Sequence, residues 1–272
     1  MEIIAVYNIK GGVGKTTTAV NLAYLSAAAG WPTLLWDLDP QGAAGYMLKS
    51  HPRKRSGAGR LIRGKRELDE LVRPTDYERL DIVPSHFSYR RMDLHLSERK
   101  KPAATLMKLM RSLQGRYASL FLDCPPGLSL VSENILHAAD AILVPVLPSP
   151  LSARMLGQLT EFVDKQNWHD LVLMPFFSMV DRRRALHRKG IEGMRERFPI
   201  MLQTEVPYLS AIEQASVRQA PLPSYAGKSV AASIYSQLWQ EFDSRMDVAF
   251  GRGSRSVTGC SAADGGDPSL DQ

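Results

Sequence analysis

The chain is poor in cysteine and has no long apolar run. Cys124 and Cys260 are its only two cysteines in 272 residues. That number and separation exclude a disulfide framework and a cysteine-pair metal site, and suit a reducing compartment. No apolar stretch approaches the ~20 residues that a membrane-spanning helix needs. The first residues enter a strand-like run at once, so no secretory leader is expected. No internal repeat is visible, and residues 251–272 contain no tyrosine. What remains is 44% hydrophobic and 23% charged, with a formal net charge of +6 and a pI near 9.3. This composition suits one large α/β domain with an anionic partner.

The most informative segment is residues 10–17, Lys-Gly-Gly-Val-Gly-Lys-Thr-Thr, directly after the apolar run Ile3-Ile4-Ala5-Val6-Tyr7. A triphosphate can be held by backbone N–H groups, a helix N-terminus and a cation. Gly11, Gly12 and Gly14 let the backbone approach the phosphates on either side of Val13. Lys15 reaches the β- and γ-phosphates, Thr16 offers its hydroxyl to Mg²⁺, and Thr17 opens the helix near the α-phosphate. The strict spacing G-x-x-x-x-G-K-[ST] fails, because its first glycine falls on Ile9. The form present is K-G-G-x-G-K-T, with Lys10 as a second lysine. Asp123 ends the apolar run 118–122 and is expected to hold Mg²⁺ through water.

Apolar patterning predicts strands near 2–8, 33–37, 80–84, 118–123, 140–146, 170–177 and 202–206, without the alternation of a half-exposed sheet. Helices are expected over 15–29, 102–114, 129–138, 151–167, 184–198, 209–217 and 228–247. The fold class is α/β, a doubly wound, mostly parallel sheet with helices on both faces and ligands at the carboxyl ends of the strands. Residues 1–247 form the expected ATPase domain. Residues 248–272, rich in Gly, Ser and Asp, are expected to be a disordered tail.

Four blocks in order resemble the ParA/MinD family of deviant Walker A ATPases: residues 10–17, 33–42 (Thr-Leu-Leu-Trp-Asp-Leu-Asp-Pro-Gln-Gly), 120–127 (Leu-Phe-Leu-Asp-Cys-Pro-Pro-Gly) and 140–148. The resemblance covers roughly residues 1–247, and D-x-D-P-Q-G with D-C-P-P points to the ParA, Soj-like branch. It implies a slow, partner-stimulated ATPase using ATP and Mg²⁺, in which two subunits face each other across two nucleotides. Lys10 would reach the phosphates of the other subunit, and Lys10, Lys15 and Asp39 would carry the chemistry. Asp39 would activate the attacking water and lie near Mg²⁺. Asp37 would support the Mg²⁺ shell or simply end its strand. Pro125, Pro126 and Gly127 would form a phosphate-sensing hinge. The base would contact the neighbourhood of Pro207 and Tyr208, together with Ser178 and Met179.

Partners implied by the resemblance are a second copy of the chain, non-specific DNA, and a ParB-like or cargo adaptor protein, in the cytoplasm and at the nucleoid. Two basic clusters suit phosphate contact. One spans 49–66, where Pro52, Gly57, Gly59 and Gly64 suggest a mobile loop. The other spans 182–197, with Arg182, Arg183, Arg184, Arg188 and Lys189. Ser210 and Ala211 stand where the family often has an arginine, so Arg218 or Lys228 is expected to substitute. Ala43 and Gly127 also depart from the family pattern. No helix-turn-helix precedes the loop, so operator recognition is not expected. The alternative is a MinD-like membrane-surface switch. It needs a basic amphipathic helix after the core, whereas Val230, Ile234, Leu238 and Phe242 read as a core-facing stripe. Relatives carrying a metal cluster between subunits need a cysteine pair, which Cys124 and Cys260 do not supply.

Overall fold

The computed structural model describes residues 1–53, 57–166, 168 and 170–251. An eight-stranded sheet forms its centre, in the order β3-β4-β2-β5-β1-β6-β7-β8. The strands are β1 (Glu2–Val6), β2 (Thr33–Asp37), β3 (Arg73–Pro74), β4 (Leu80–Val83), β5 (Ser119–Asp123), β6 (Ala141–Val146), β7 (Val172–Val180) and β8 (Glu205–Pro207). All pairings are parallel except β3 against β4. The continuous apolar runs expected for a doubly covered sheet are buried throughout β2, β5 and β6.

Helices cover both faces. They are α1 (Lys15–Ala28), α2 (Ala43–Met47), α3 (Ala58–Ile62), α4 (Met92–Ser97), α5 (Thr105–Met110), α6 (Leu130–Ala138), α7 (Pro150–Lys165), α8 (Ala185–Arg197), α9 (Ser210–Arg218), α10 (Leu222–Ala226) and α11 (Val230–Phe250). One core joins the sheet to α3 through α8, with Trp36, Leu122, Ile135 and Leu159 at its centre. The other joins it to α1, α2 and α11 through Val20, Leu22, Leu35, Leu238 and Phe242. The stripe Ile234, Leu238 and Phe242 therefore faces protein, while Val230 at its start is 73% exposed. No helix among the described residues is long and apolar enough to cross a membrane.

Several boundaries differ from the sequence expectation. The segment 49–66 is not a continuous loop: Ala58–Ile62 is helical, and Ala58, Leu61 and Ile62 are buried. The expected helix 102–114 breaks into turns at Pro102–Ala104 and Arg111–Leu113 around α5. The last strand starts at Glu205 rather than 202, because the Glu241 carboxylate of α11 accepts from the N–H groups of Gln203 and Thr204 at 2.6 and 2.8 Å. Helix α11 runs to Phe250, three residues past the expected domain boundary. Cys260 and the tail from residue 252 lie outside the described residues, as do Lys54 and Arg55 of the first basic cluster.

Candidate functional site: a phosphate loop ringed by carboxylates

The loop between β1 and α1 lies at the carboxyl end of the sheet, flanked by β5 on one side and β6 on the other. Gly12 and Gly14 have φ of 69° and 87°, left-handed conformations that glycine adopts at little cost. Gly14 also has no room for a side chain, since a Cβ there would lie 3.2 Å from Ser178 Oγ. Gly14→Ala should therefore abolish measurable nucleotide binding while the fold persists, as checked by titration with a fluorescent ATP analogue alongside circular dichroism. Wild-type affinity in that variant would contradict the assignment.

Hydrogen bonds hold the loop from both sides. Asn8, buried at the end of β1, donates from Nδ2 to Pro145 O of β6 at 2.7 Å. Its Oδ1 accepts from Lys10 N at 2.8 Å. Lys15 Nζ reaches back across the loop to Lys10 O at 3.2 Å. On the other side Gly127 N donates to Ile9 O at 2.9 Å, and Tyr7 Oη donates to Gly127 O at 2.9 Å. The Pro125-Pro126-Gly127 segment is thus bonded directly to the phosphate loop. Gly127, with φ of 94°, supplies the freedom that the two prolines lack.

Three carboxylates face this loop. Asp37 and Asp123 end neighbouring strands in register. Asp123 is fully buried, and neither carboxylate oxygen has a hydrogen-bond partner. The Thr16 hydroxyl is near enough to lower its pKa without satisfying either oxygen in good geometry. Burial outweighs it and raises the pKa well above the usual carboxylate range, with Asp37 adding to the rise. An unpaired buried carboxylate beside a threonine hydroxyl fits a divalent cation. Among the described residues no set of three His, Cys, Asp or Glu side chains forms a metal cage. Mg²⁺ needs none, because it keeps waters and uses one or two protein oxygens plus phosphate.

Asp37 does something different from the expected Mg²⁺ support. Its Oδ1 accepts from Asp39 N at 3.2 Å and its Oδ2 from Gly45 N at 3.0 Å, so it ties the Asp39 loop and α2 to the end of β2. Burial, reinforced by Asp39, raises its pKa to about 7. Asp39 is less buried, and its Oδ1 accepts from Gln41 N at 2.9 Å. Lys15 is buried as well; desolvation lowers its pKa, opposed by Asp123, Cys124 and Asp39. Cys124 is buried against the site, as expected, with its thiol bonded to Leu122 O.

The Asp37 shift has a sign that can be checked. Its folded pKa lies above its unfolded value, so the folded state binds more protons between about pH 4 and 7. Stability of the nucleotide-free, EDTA-treated protein should fall as pH rises through that window, by up to ~1.4 kcal/mol per pH unit for each such group. Asp37→Asn should flatten part of this slope in melting temperature against pH. An unchanged slope would show that Asp37 ionises normally.

A cleft of about 400 Å³ opens from the end of the loop. Gly14 and Thr17 form one wall, and Ser178, Met179, Pro207 and Tyr208 form another. The pairing of β7 with β8 thus brings together all four residues expected around the base. Val206, Leu209, Ile212, Glu213 and Tyr235 complete the lining and carry no sequence signal. They come from β8, α9 and α11, and no local motif marks them. Tyr208 Oη donates to Glu213 Oε1 at 2.8 Å across the outer edge.

The basic candidates lie away from the loop. Arg182 is bound by Glu205 in a two-pronged ion pair, and Arg183 is bound by Asp181. Arg188 donates to the carbonyls of Arg182 and Arg183. Arg184 and Lys189 are exposed, as is Lys228. Arg218 lies over the Tyr225 ring at 5.0 Å.

A strand–glycine loop–helix with a buried lysine, facing a carboxylate at the end of the next strand, defines a P-loop nucleotide-binding protein. Residues 1–171 match the AAA domain family. The chain is 32% identical to the chromosome partitioning protein ParA of Myxococcus xanthus over 90% of its own length and 88% of the relative's. It is 30% identical to the sporulation initiation inhibitor protein Soj of Bacillus subtilis, covering 88% of this chain and 97% of that one. Among solved structures, the cobyrinic acid a,c-diamide synthase of Mycobacterium smegmatis with a bound ATP analogue and magnesium superposes with a TM-score of 0.75 at 26% identity, over 91% of this chain and 94% of that one. The chain belongs to the ParA/MinD family of P-loop ATPases.

Proposed function

We propose that this protein is a ParA-type positioning ATPase. In this reading ATP drives two subunits together, the dimer binds DNA without sequence preference, and a partner protein triggers hydrolysis and release. The observation that carries it is the phosphate loop, in which Lys10 is held by a buried asparagine beside the lysine that all such loops share. ATP and Mg²⁺ are the cofactors, and the relative bound to an ATP analogue and magnesium supports both. Mg²⁺ would be held by Thr16 and, through water, by Asp123, where it would neutralise charge on the phosphates. Lys15 and the loop N–H groups bind the triphosphate. Asp39 orients the attacking water and accepts its proton. Lys10 contributes a cation to the partner subunit's phosphates, which makes dimerisation depend on the γ-phosphate. The cleft lined by Pro207, Tyr208, Ser178 and Met179 takes the base.

DNA contact falls to exposed cations, for which Arg182, Arg183, Arg184, Arg188, Lys189, Arg218 and Lys228 are the candidates on the α8–α11 side. Doubling them in a dimer strengthens binding beyond either subunit alone. ATP with Mg²⁺ should give DNA binding, read by fluorescence anisotropy, that weakens steeply between about 50 and 200 mM salt, by ~10³-fold or more if six phosphates are contacted. Equal binding in ATP, ADP and no nucleotide would refute the reading. A ParB-like or cargo adaptor should raise turnover, and the protein would act in the cytoplasm at the nucleoid. The residues from 248 onward are proposed to lie outside the ATPase domain proper, apart from the final turn of α11.

A further inference from the structure

The basic segment 49–66 takes no part in the site described above. Its helix α3 packs against a second basic stretch, residues 86–101. Ala58 N donates to Ser88 Oγ at 2.8 Å. Gly59 approaches His95 of α4 so closely that a Cβ would lie 2.8 Å from its ring. Residues 57–66 carry four cations and no acid, and residues 86–101 carry five cations and two acids. Both of those acids are occupied: Asp93 accepts from Val131 N at 2.9 Å, and Glu98 pairs with Arg63 at 3.7 Å. Acids of the segment between are also drawn elsewhere, Glu70 to Arg66, Asp69 to Arg116 and Asp81 to Tyr117. Among the described residues Arg60, Arg90, Arg91, Lys100 and Lys101 are exposed and have no carboxylate partner. Arg182 and Arg183 in the other cluster contrast with this, since each is neutralised by an acid on its own surface.

We infer that the outer layer formed by α3, α4 and the turn Phe87–Arg91 is the principal surface through which this protein contacts nucleic-acid phosphates. The inference rests on the DNA-binding reading and says where that binding occurs. Unpaired cations release counterions when they meet phosphate, whereas an arginine already paired must first give up its acid. The chemistry favours a phosphodiester backbone over a lipid surface. Helices α3 and α4 have five and six residues, too short to lay an apolar stripe into a bilayer. The aromatic ring of Phe87 is covered by the Arg90 guanidinium at 3.9 Å, leaving the N–H edges of that arginine to face outward. The layer is also attached to the nucleotide sensor. Asp93 of α4 holds the first turn of α6, the helix that begins just after Pro125-Pro126-Gly127. A change in that segment on ATP binding would therefore move the basic layer.

The test compares two surface variants with wild type in ATP and Mg²⁺. Arg60→Ala with Arg91→Ala, Lys100→Ala and Lys101→Ala should weaken binding of a labelled random-sequence duplex at least ~10-fold and lower the log–log salt slope by about one for each phosphate no longer neutralised. Arg182→Ala with Arg183→Ala and Arg184→Ala should cost less. Both should retain binding of a fluorescent ATP analogue and the wild-type melting temperature. Lys100→Glu with Lys101→Glu, confined to an exposed segment, repeats the test should the fourfold variant fold poorly. Wild-type DNA affinity in the layer variants, with the loss confined to the α8 variant, would overturn the inference while leaving DNA binding intact. Absence of ATP-dependent DNA binding in the wild type would instead remove the underlying reading. ATP-dependent binding to phosphatidylglycerol vesicles in preference to DNA would overturn the choice of ligand.

Discussion

Lys10→Ala should leave ATP binding within a few-fold of wild type while abolishing ATP-dependent dimerisation. The division follows from the geometry of the loop. Lys10 contributes its backbone to the loop, where its N–H is fixed by Asn8 and its carbonyl by Lys15. Alanine preserves both backbone bonds. Lys15 and the glycine N–H groups, which hold the triphosphate within one subunit, are untouched. What disappears is the ammonium group, which in the proposed dimer acts only on the other subunit's phosphates. A cation supplied across an interface to a transferring phosphoryl group is worth ~10³-fold or more in turnover. Partner-stimulated hydrolysis should therefore fall by that order. Sedimentation of the variant with a non-hydrolysable ATP analogue checks the dimer, and equilibrium titration checks nucleotide affinity. A variant that still dimerises with ATP would remove the cross-subunit role.

Asp39→Ala should have the opposite consequence, an ATP-bound dimer that forms and persists. Loss of the group that orients and deprotonates water is expected to lower turnover by ~10²–10⁴-fold. The substitution keeps the architecture around it, because the loop is anchored by Asp37 through Asp39 N and Gly45 N, bonds that alanine at 39 does not remove. Single-turnover measurement of phosphate release reads the chemical step. Slow dissociation from DNA in ATP reads the trapped state. Rapid turnover by the variant would move the catalytic role to another residue. Together the two substitutions separate assembly from chemistry, since one should fail before the dimer and the other after it.

Residues 10–17 are legible as a phosphate loop because the chemistry is local. Two of its glycines take conformations that disfavour side chains, its lysine needs one helical turn to reach back over the loop, and its strand and helix follow immediately. Asp123 is legible for the same reason, as a carboxylate closing an apolar strand. The expected base-site residues Pro207, Tyr208, Ser178 and Met179 share one cleft, but that expectation rests on resemblance to the family rather than on local pattern. Glu213, Ile212 and Tyr235 are invisible in the sequence, because helices contribute them from separate stretches of chain. Mg²⁺ support by Asp37 fails as an expectation because sequence position cannot say that both its oxygens are taken by backbone N–H groups. The helix at 58–62 escapes a sequence reading because five residues are too few to show a period, and the glycines at 57, 59 and 64 resemble a loop.

The sequence alone therefore determined the class of fold, the triphosphate loop and the lysine that distinguishes its family, since each is encoded by residues adjacent in the chain. The tertiary structure decided which charges are free. Arginines at 182–183 and at 90–91 look alike in one dimension. Only folding brings Glu205 to Arg182 and leaves Arg90 and Arg91 without an acid, because ion pairs form between groups that the sheet order places together.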